Sequence, residues 1–224
     1  MHFSSALIAT IAAATSCIAA PLGPLLPPAN PSANASPQYC RTWQDCLNDI
    51  NNARSSQEGL TPLALPSNWF DLKYEERVFA FINLERQSRQ LGPLTTMVNT
   101  YNSEVMTGVT DCADPIAPNT LRSWSSIWAG GGSMFPLQAI YLWMYVDGPG
   151  GNNLDCTASE TSGCWGHRDI ILNSKVNTID SGFGKDSKGQ NGFAALLFTA
   201  SAAPSAGETI LTWDSQKGYS GYSK

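Results

Sequence analysis

Apolar residues recur at helical spacing in three segments of the chain, and four segments in all predict helices. The predicted helices cover residues 41–54, 71–91, 95–106 and 136–146. Asp71 is the expected N-terminal cap of the second helix, and Gly92-Pro93 should end it. Pro136 opens the fourth helix, because proline is favoured in a first helical turn. The apolar sides are formed by Trp43, Leu47 and Ile50, by Val78, Phe81, Ile82 and Leu91, and by Leu137, Ile140, Trp143 and Met144.

The last third of the chain has the alternation of a β-hairpin. Residues 178–184 and 192–200 predict two strands joined by a polar turn. In the second strand both alternating sets of side chains are largely apolar, which is typical of a strand covered on both faces. Helices outside and such strands inside predict an α+β protein built as a three-layer α-β-α sandwich.

The first twenty residues have the features of a secretory signal peptide. Residues 4–20 are an apolar stretch that ends in two alanines, which predicts cleavage after Ala20. A membrane anchor is the alternative, but the stretch is shorter than the roughly 20 residues that a spanning helix needs. The mature protein is therefore expected to be secreted and extracellular, with no transmembrane segment.

A proline-rich segment separates this signal from the first predicted helix. Asn34 lies in it within the triplet Asn-Ala-Ser, which is a predicted N-glycosylation site. Residues 218–224 are rich in Gly, Ser and Tyr and are expected to be disordered. The expected organisation is a signal peptide at 1–20, a linker at 21–39, an N-terminal helical extension at 40–69, the main domain at 70–203 and a C-terminal tail at 204–224.

Signal cleavage leaves five cysteines, which favour disulfides in an oxidising compartment. Cys156 and Cys164 flank a short loop of small and polar residues and form the first predicted pair. Cys40 with Cys46 is the second predicted pair, and pairing of Cys46 with Cys112 is the alternative. The odd number leaves one thiol over or forms an intermolecular bridge. No C-x2-C spacing typical of a zinc site is present.

Composition restricts the partners of this protein. The chain has 224 residues and a net charge of −5, and no segment contains a cluster of Lys or Arg. We therefore expect no nucleic-acid partner, because neutralising phosphates needs clustered cations. No cofactor is expected either, and the protein is expected to be a monomer.

Three segments, in this order, resemble motifs of the CAP superfamily, which contains the cysteine-rich secretory, antigen-5 and pathogenesis-related proteins. Residues 83–86 (Asn-Leu-Glu-Arg), followed by 92–94 (Gly-Pro-Leu), are similar to the N-x-x-R…G-x-x-P-L helix end, with a compressed spacer. Residues 126–130 (Ser-Ile-Trp-Ala-Gly) are similar to the G-E-N-I stretch. Trp143 and residues 166–172 (Gly-His-Arg-Asp-Ile-Ile-Leu) resemble the W…G-H-R-x-N-I-L signature of bacterial-type members. The resemblance implies the SCP-domain fold.

The resemblance spans about residues 70–200 and also implies a central cleft. Family members often hold two histidines and two acidic residues there, which can bind a divalent metal. His167 matches the second of these histidines, and it is the only histidine left after signal cleavage. The acidic positions fall at Ser125 and, one residue late, at Asp147. Since a metal site normally needs at least three protein ligands, no metal is expected.

The leading hypothesis is a secreted, non-enzymatic protein that binds a sterol, a fatty acid or a cell-wall glycan, as the resemblance implies. His167, Ser125 and Asp147 are the candidate ligand-binding residues, with Trp128 and Trp143 as aromatic lining. A hydrolase that uses His167 with Ser125 or Asp147 is the alternative, although no G-x-S-x-G elbow is present. A second alternative is an interaction protein that acts on the surface of another organism.

Overall fold

The computed structural model describes residues 40–132, 134–149, 151, 156, 162–200 and 207–222. Its helices are α1 (Trp43–Glu58), α2 (Tyr74–Ser88), α3 (Asn102–Asp111), α4 (Pro136–Tyr145), α5 (Gly166–Ile171) and α6 (Trp213–Gln216), and a 3-10 turn covers Trp69–Asp71. Its strands are β1 (Thr96–Val98), β2 (Trp124–Gly130), β3 (Thr178–Lys185), β4 (Asn191–Phe198) and β5 (Thr209–Thr212). The helices predicted at residues 41–54 and 136–146 are therefore present.

The strands of the described residues form a five-stranded mixed sheet in the order β2-β4-β3-β1-β5. β3 and β4 are the predicted hairpin, and they pair antiparallel from Thr178 opposite Phe198 to Lys185 opposite Asn191. β2 pairs antiparallel with the other edge of β4, β1 runs parallel to β3, and β5 is antiparallel to β1. Strand β4 is therefore hydrogen-bonded on both of its edges.

Helices cover both faces of this sheet. Phe193, Ala195 and Leu197 of β4 belong to a core that α1, α2 and α4 complete. Leu196 and Phe198 point the other way and belong to a smaller core beneath α3. Both alternating sets of β4 side chains are apolar because helices cover the strand on both faces, as predicted. The three-layer α-β-α sandwich is confirmed.

Residues 95–106, predicted as one helix, divide into strand β1 and the first turn of α3. The carboxylate of Asp180 on β3 accepts a hydrogen bond of 2.6 Å from the backbone N–H of Tyr101, at the start of α3. β1 lies between β3 and β5, so its residues are fixed by pairing with distant segments. The helix prediction was therefore wrong for residues 95–101, because such non-local pairing outweighs a local pattern, and it is confirmed for residues 102–106.

Helix α2 begins later than the sequence predicts. Asp71 ends the 3-10 turn, and Lys73 occupies the N-cap position of α2. The backbone N–H of Lys73 donates to the Glu76 carboxylate at 2.8 Å. A carboxylate from the first turn of the helix therefore accepts a backbone N–H at the N-terminus of α2. The prediction of an Asp71 cap was wrong.

The segments assigned to an extension and a tail share a core with the central domain. Ile50 of α1, Trp213 of α6 and Tyr222 lie in one hydrophobic cluster. The Tyr222 hydroxyl also donates to Oδ1 of Asn68 at 3.3 Å. The described parts of the three segments therefore pack in one core, and the expectation of disorder over residues 218–224 was wrong up to Tyr222. The polar composition of this segment did not predict its order, because burial of Trp213 and Tyr222 in the core fixes it.

Both predicted disulfides are present, Cys40–Cys46 and Cys156–Cys164. Cys112 is a free thiol, so the alternative pairing of Cys46 with Cys112 was wrong. Its thiol donates to the Asp186 carboxylate at 3.3 Å. Asn34 and the predicted signal peptide lie outside the described residues. Within the described part of the chain, none of the helices has the length and apolar character to cross a membrane.

Candidate functional site

The structure brings together two of the predicted site residues, His167 and Asp147. Asp147 follows the end of α4, and one of its carboxylate oxygens accepts the backbone N–H of His167 at 2.8 Å. The other oxygen lies 2.7 Å from Nδ1 of the His167 ring. Asp147 thus holds both the first turn of α5 and the imidazole, which fixes the orientation of the ring.

A third residue, Asp114, completes this cluster and was not predicted. It lies in the loop after α3, and its carboxylate is 3.6 Å from Nε2 of His167. Asp114 is about half exposed, at 47% of its side chain, whereas Asp147 is buried. No sequence signal indicates this contact, because Asp114 and His167 are far apart in the chain and no motif contains Asp114.

The charge of His167 follows from this geometry. Burial alone would lower its pKa, but Asp114 and Asp147 outweigh burial and raise the pKa to about 9. The imidazole is therefore protonated at neutral pH, and both of its nitrogens carry hydrogen. In that state the ring has no lone pair with which to accept a proton or bind a metal. Among the described residues, no group of three or more His, Cys, Asp or Glu side chains has an arrangement that could hold a metal ion.

The other predicted site residues lie on or against β2. Ser125 is opposite Leu197 in the sheet, and no hydrogen bond of the described residues joins it to His167. The Trp128 indole packs over Gly130 on the α3 side of the sheet. Trp143 is buried, and its indole N–H donates to the Trp128 carbonyl at 2.8 Å. Trp143 therefore connects α4 to β2 from inside the core.

The first motif, residues 83–86, stabilises the fold through hydrogen bonds from Asn83 and Arg86 to the backbone. Asn83 binds the backbone of Leu94 in both directions, as donor at 3.0 Å and as acceptor at 2.7 Å. The Arg86 guanidinium donates to the carbonyls of Gly92, Ile171, Asn173 and Val176. These bonds hold the chain after α2 and the segment after α5, so the motif supports the position of α5.

Glu85 and Arg86, neighbours in the first motif, have different partners. The Glu85 carboxylate is buried and pairs with Arg54 of α1 and, at 2.5 Å, with Arg89. Arg89 also binds Glu58 at 2.7 Å.

Glu58 extends this network to α5. Its carboxylate lies 2.6 Å from the guanidinium of Arg168, the residue after His167. Burial would raise the pKa of Glu58, but Arg89 and Arg168 outweigh it and lower the pKa. Arg168 therefore connects α5 to α1 through an ion pair.

A pocket of about 610 Å³ lies elsewhere, on the α3 side of the sheet. Its apolar walls include Val98, Tyr101, Leu121 and Phe198. The Tyr101 and Phe198 rings meet edge to face, with centroids 5.4 Å apart. The sequence did not predict this pocket, because its walls come from segments that only the sheet topology brings together.

Comparisons with known proteins do not assign a family. No protein-family model matches the chain, and no curated protein matches it. Among solved structures, an outer surface protein from Borrelia burgdorferi is similar over 55% of this chain and 90% of its own, at 11% identity and a TM-score of 0.39. A similarity this weak carries no argument about function, and the resemblance to the CAP superfamily stays a prediction.

Proposed function

We propose that this chain is a secreted, non-enzymatic protein that binds a small amphiphilic ligand in the pocket on the α3 side of the sheet. The observation that carries the proposal is the pocket itself, a concave space of about 610 Å³ with aromatic and aliphatic walls. Its volume lies within the roughly 300–1,000 Å³ typical of small-molecule sites. The two disulfides and the predicted signal peptide support an extracellular setting.

The walls of the pocket favour an apolar ligand body. Val98 and Phe198 are almost fully buried in the core beneath α3, so they offer a rigid surface. Tyr101 and Leu121 are half-buried and pack against that same core. A ligand placed there would cover the exposed apolar surface of Tyr101 and Leu121, which is favourable at about 25 cal/mol per Å².

Polar groups around the same pocket favour a ligand with a polar end. Thr100, Thr120 and Ser123 line the pocket and are exposed to solvent. Arg122 and Glu208 also line it. A few polar groups beside apolar walls orient a ligand, so an amphiphile fits better than a hydrocarbon.

The geometry at His167 supports a binding protein over a hydrolase. A serine hydrolase needs a neutral histidine whose second nitrogen faces the nucleophile. In this protein Nε2 of His167 faces the Asp114 carboxylate, and the raised pKa keeps the ring protonated at neutral pH. Neither Ser125 nor another serine of the described residues forms a hydrogen bond with this ring.

Binding by a pocket-filling variant tests the proposal. The purified secreted protein is titrated with a fluorescent fatty acid, a labelled sterol and soluble cell-wall glycans. In Leu121→Trp the larger side chain fills the pocket, and we expect amphiphile affinity to fall at least about tenfold. The matched control is Ile116→Trp, which adds the same ring at a position 78% exposed and outside the pocket.

His167→Gln separates the pocket from the predicted cleft. We expect this variant to bind the amphiphile as the native protein does, because His167 does not line the pocket. Glycan binding without amphiphile binding, or amphiphile binding that fails only in His167→Gln, would overturn the proposal. The latter result would place the ligand at the cleft that the family resemblance implies.

A further inference from the structure

We propose that the ligand of this pocket carries a single acidic group and that Arg122 is the residue that recognises it. This inference rests on the proposed function and adds the chemistry of the ligand's polar end. It follows from two observations: Arg122 lines the pocket together with apolar residues such as Leu121 and Phe198, and it is exposed.

Arg122 differs from the core arginines in its contacts. Arg54 and Arg89 are buried and paired with carboxylates, and Arg86 is bound by backbone carbonyls. Arg122 is exposed, and among the described residues it has neither an ion-pair partner nor a hydrogen bond. Its guanidinium therefore keeps all its N–H donors for a group that enters the pocket.

The chemistry of arginine selects the acidic group. A guanidinium presents two parallel N–H donors that match the two oxygens of a carboxylate, and it also binds a sulfate. The apolar walls beside it would hold the rest of the ligand. The pocket thus offers an apolar surface next to a cation, which is the arrangement complementary to an anionic amphiphile.

The charge around Arg122 restricts the ligand further. Glu208 lines the same pocket and contributes a carboxylate. The whole chain carries a net charge of −5, so the surrounding potential does not favour polyanions. Arg122 supplies one positive charge, and a carboxylate in the same lining would repel further negative charge, so the pocket fits a ligand with one acidic group, such as a fatty acid or an alkyl sulfate, and not a phosphate-rich headgroup.

Matched ligands that differ only in the headgroup test this inference. A long-chain fatty acid, the alkyl sulfate and the fatty alcohol of the same chain length are titrated below their aggregation concentrations at near-neutral pH. We expect the two anionic ligands to bind about tenfold more tightly than the alcohol, the size of one partly exposed charge-assisted contact. Tighter binding of only one of the two anions would show whether the pocket recognises a carboxylate or a sulfate.

Variants of Arg122 then assign the preference to this side chain. Arg122→Gln should remove the preference for the acid while leaving alcohol binding unchanged, and Arg122→Lys should restore part of it. Arg41→Gln is the matched control, since Arg41 is exposed and outside the pocket. An unchanged preference in Arg122→Gln overturns this inference alone. If the native protein binds none of the ligands, the proposed function is contradicted as well.

Discussion

The two sides of the sheet use charged side chains in opposite ways. In the layer of α1, α2 and α4, the buried carboxylate of Glu85 lies between Arg54 and Arg89. On the α3 side, Arg122 lines an open pocket and has no ion-pair partner among the described residues. The guanidinium groups of the first side are therefore paired with carboxylates, whereas that of Arg122 is not.

Burial explains the difference. A charge taken out of water must be paired and hydrogen-bonded, since its lost hydration costs several kcal/mol. The paired layer has three guanidinium groups, those of Arg54, Arg89 and Arg168, with the two carboxylates of Glu58 and Glu85. An exposed arginine meets no such requirement. Substitutions on the two sides should therefore differ strongly in their effect on stability.

The largest expected effect is on the buried side. Glu85→Gln removes the carboxylate that neutralises Arg54 and Arg89, and it leaves two buried cations without that partner. We expect the free energy of unfolding to fall by about 3–5 kcal/mol. Urea denaturation followed by circular dichroism measures this change.

The matched control is an exposed ion pair. Asp214 is 85% exposed and lies 2.5 Å from Lys217. Asp214→Asn should change stability by less than about 0.5 kcal/mol. A Glu85→Gln protein as stable as this control would show that the buried network contributes little, and the contrast between the two sides would fail.

The next effect concerns His167 and depends on pH. Its pKa is raised in the folded protein to about 9, so folding favours the protonated ring. The stabilisation is complete below about pH 6.5 and is lost as the pH rises through about 9. His167→Gln should therefore cost up to about 3 kcal/mol near pH 6 and almost nothing near pH 10.

Unfolding free energies of native protein and His167→Gln across this range measure the effect. Asp114→Asn should remove part of the same pH dependence, because Asp114 is the exposed member of the pair of carboxylates. A gap between native and variant protein that stays constant from pH 6 to pH 10 would contradict the protonated state assigned to His167.

A smaller effect is expected at Asp180, beside the pocket. Burial raises its pKa to about 7, the Tyr101 N–H opposes this shift, and the nearby Glu104 adds to it. Folding thus favours the neutral acid, and the stability that this gives is lost as the pH rises from about 4, where the unfolded chain ionises, to about 7. Asp180→Asn removes the buried charge but weakens the bond to Tyr101, so we expect a net gain of about 1 kcal/mol near pH 8.

Near pH 3.5 the same variant should equal the native protein, because the Asp180 carboxyl is then largely neutral in both the folded and the unfolded protein. Thermal unfolding at the two pH values checks this. Destabilisation of Asp180→Asn near pH 8 would mean that the ionised carboxylate is needed at the start of α3, where it accepts the Tyr101 N–H.

Local patterns predicted the parts of the fold that depend on local contacts. Helices α1 and α4, the β3–β4 hairpin and both disulfides are present, although Trp43 of the predicted apolar side of α1 is 42% exposed. The parts that failed depend on distant partners. β1 was missed because its pairing residues in β3 and β5 come much later in the chain. Trp213 and Tyr222 were missed because a single aromatic residue in a polar tail has no periodicity.

The candidate sites show the same limit. Motif spacing found His167 and Asp147, which lie within hydrogen-bonding distance. It did not find Asp114, whose contact depends on the loop after α3 reaching α5. The pocket was also missed, since Val98, Leu121 and Phe198 share a wall only after the sheet has formed.

The smallest stability effect is expected at Arg122, and it completes the comparison with Glu85. Arg122→Gln removes a charge that has no ion-pair partner among the described residues, so the free energy of unfolding should change by less than about 0.5 kcal/mol. The same denaturation experiment used for Glu85→Gln measures it. A loss of more than about 1 kcal/mol would mean that Arg122 stabilises the fold, and a changed affinity in that variant could then reflect a damaged pocket. Unchanged stability together with a lost preference for acidic ligands would assign Arg122 to binding, because an exposed side chain that does not stabilise the fold can affect affinity only through the ligand.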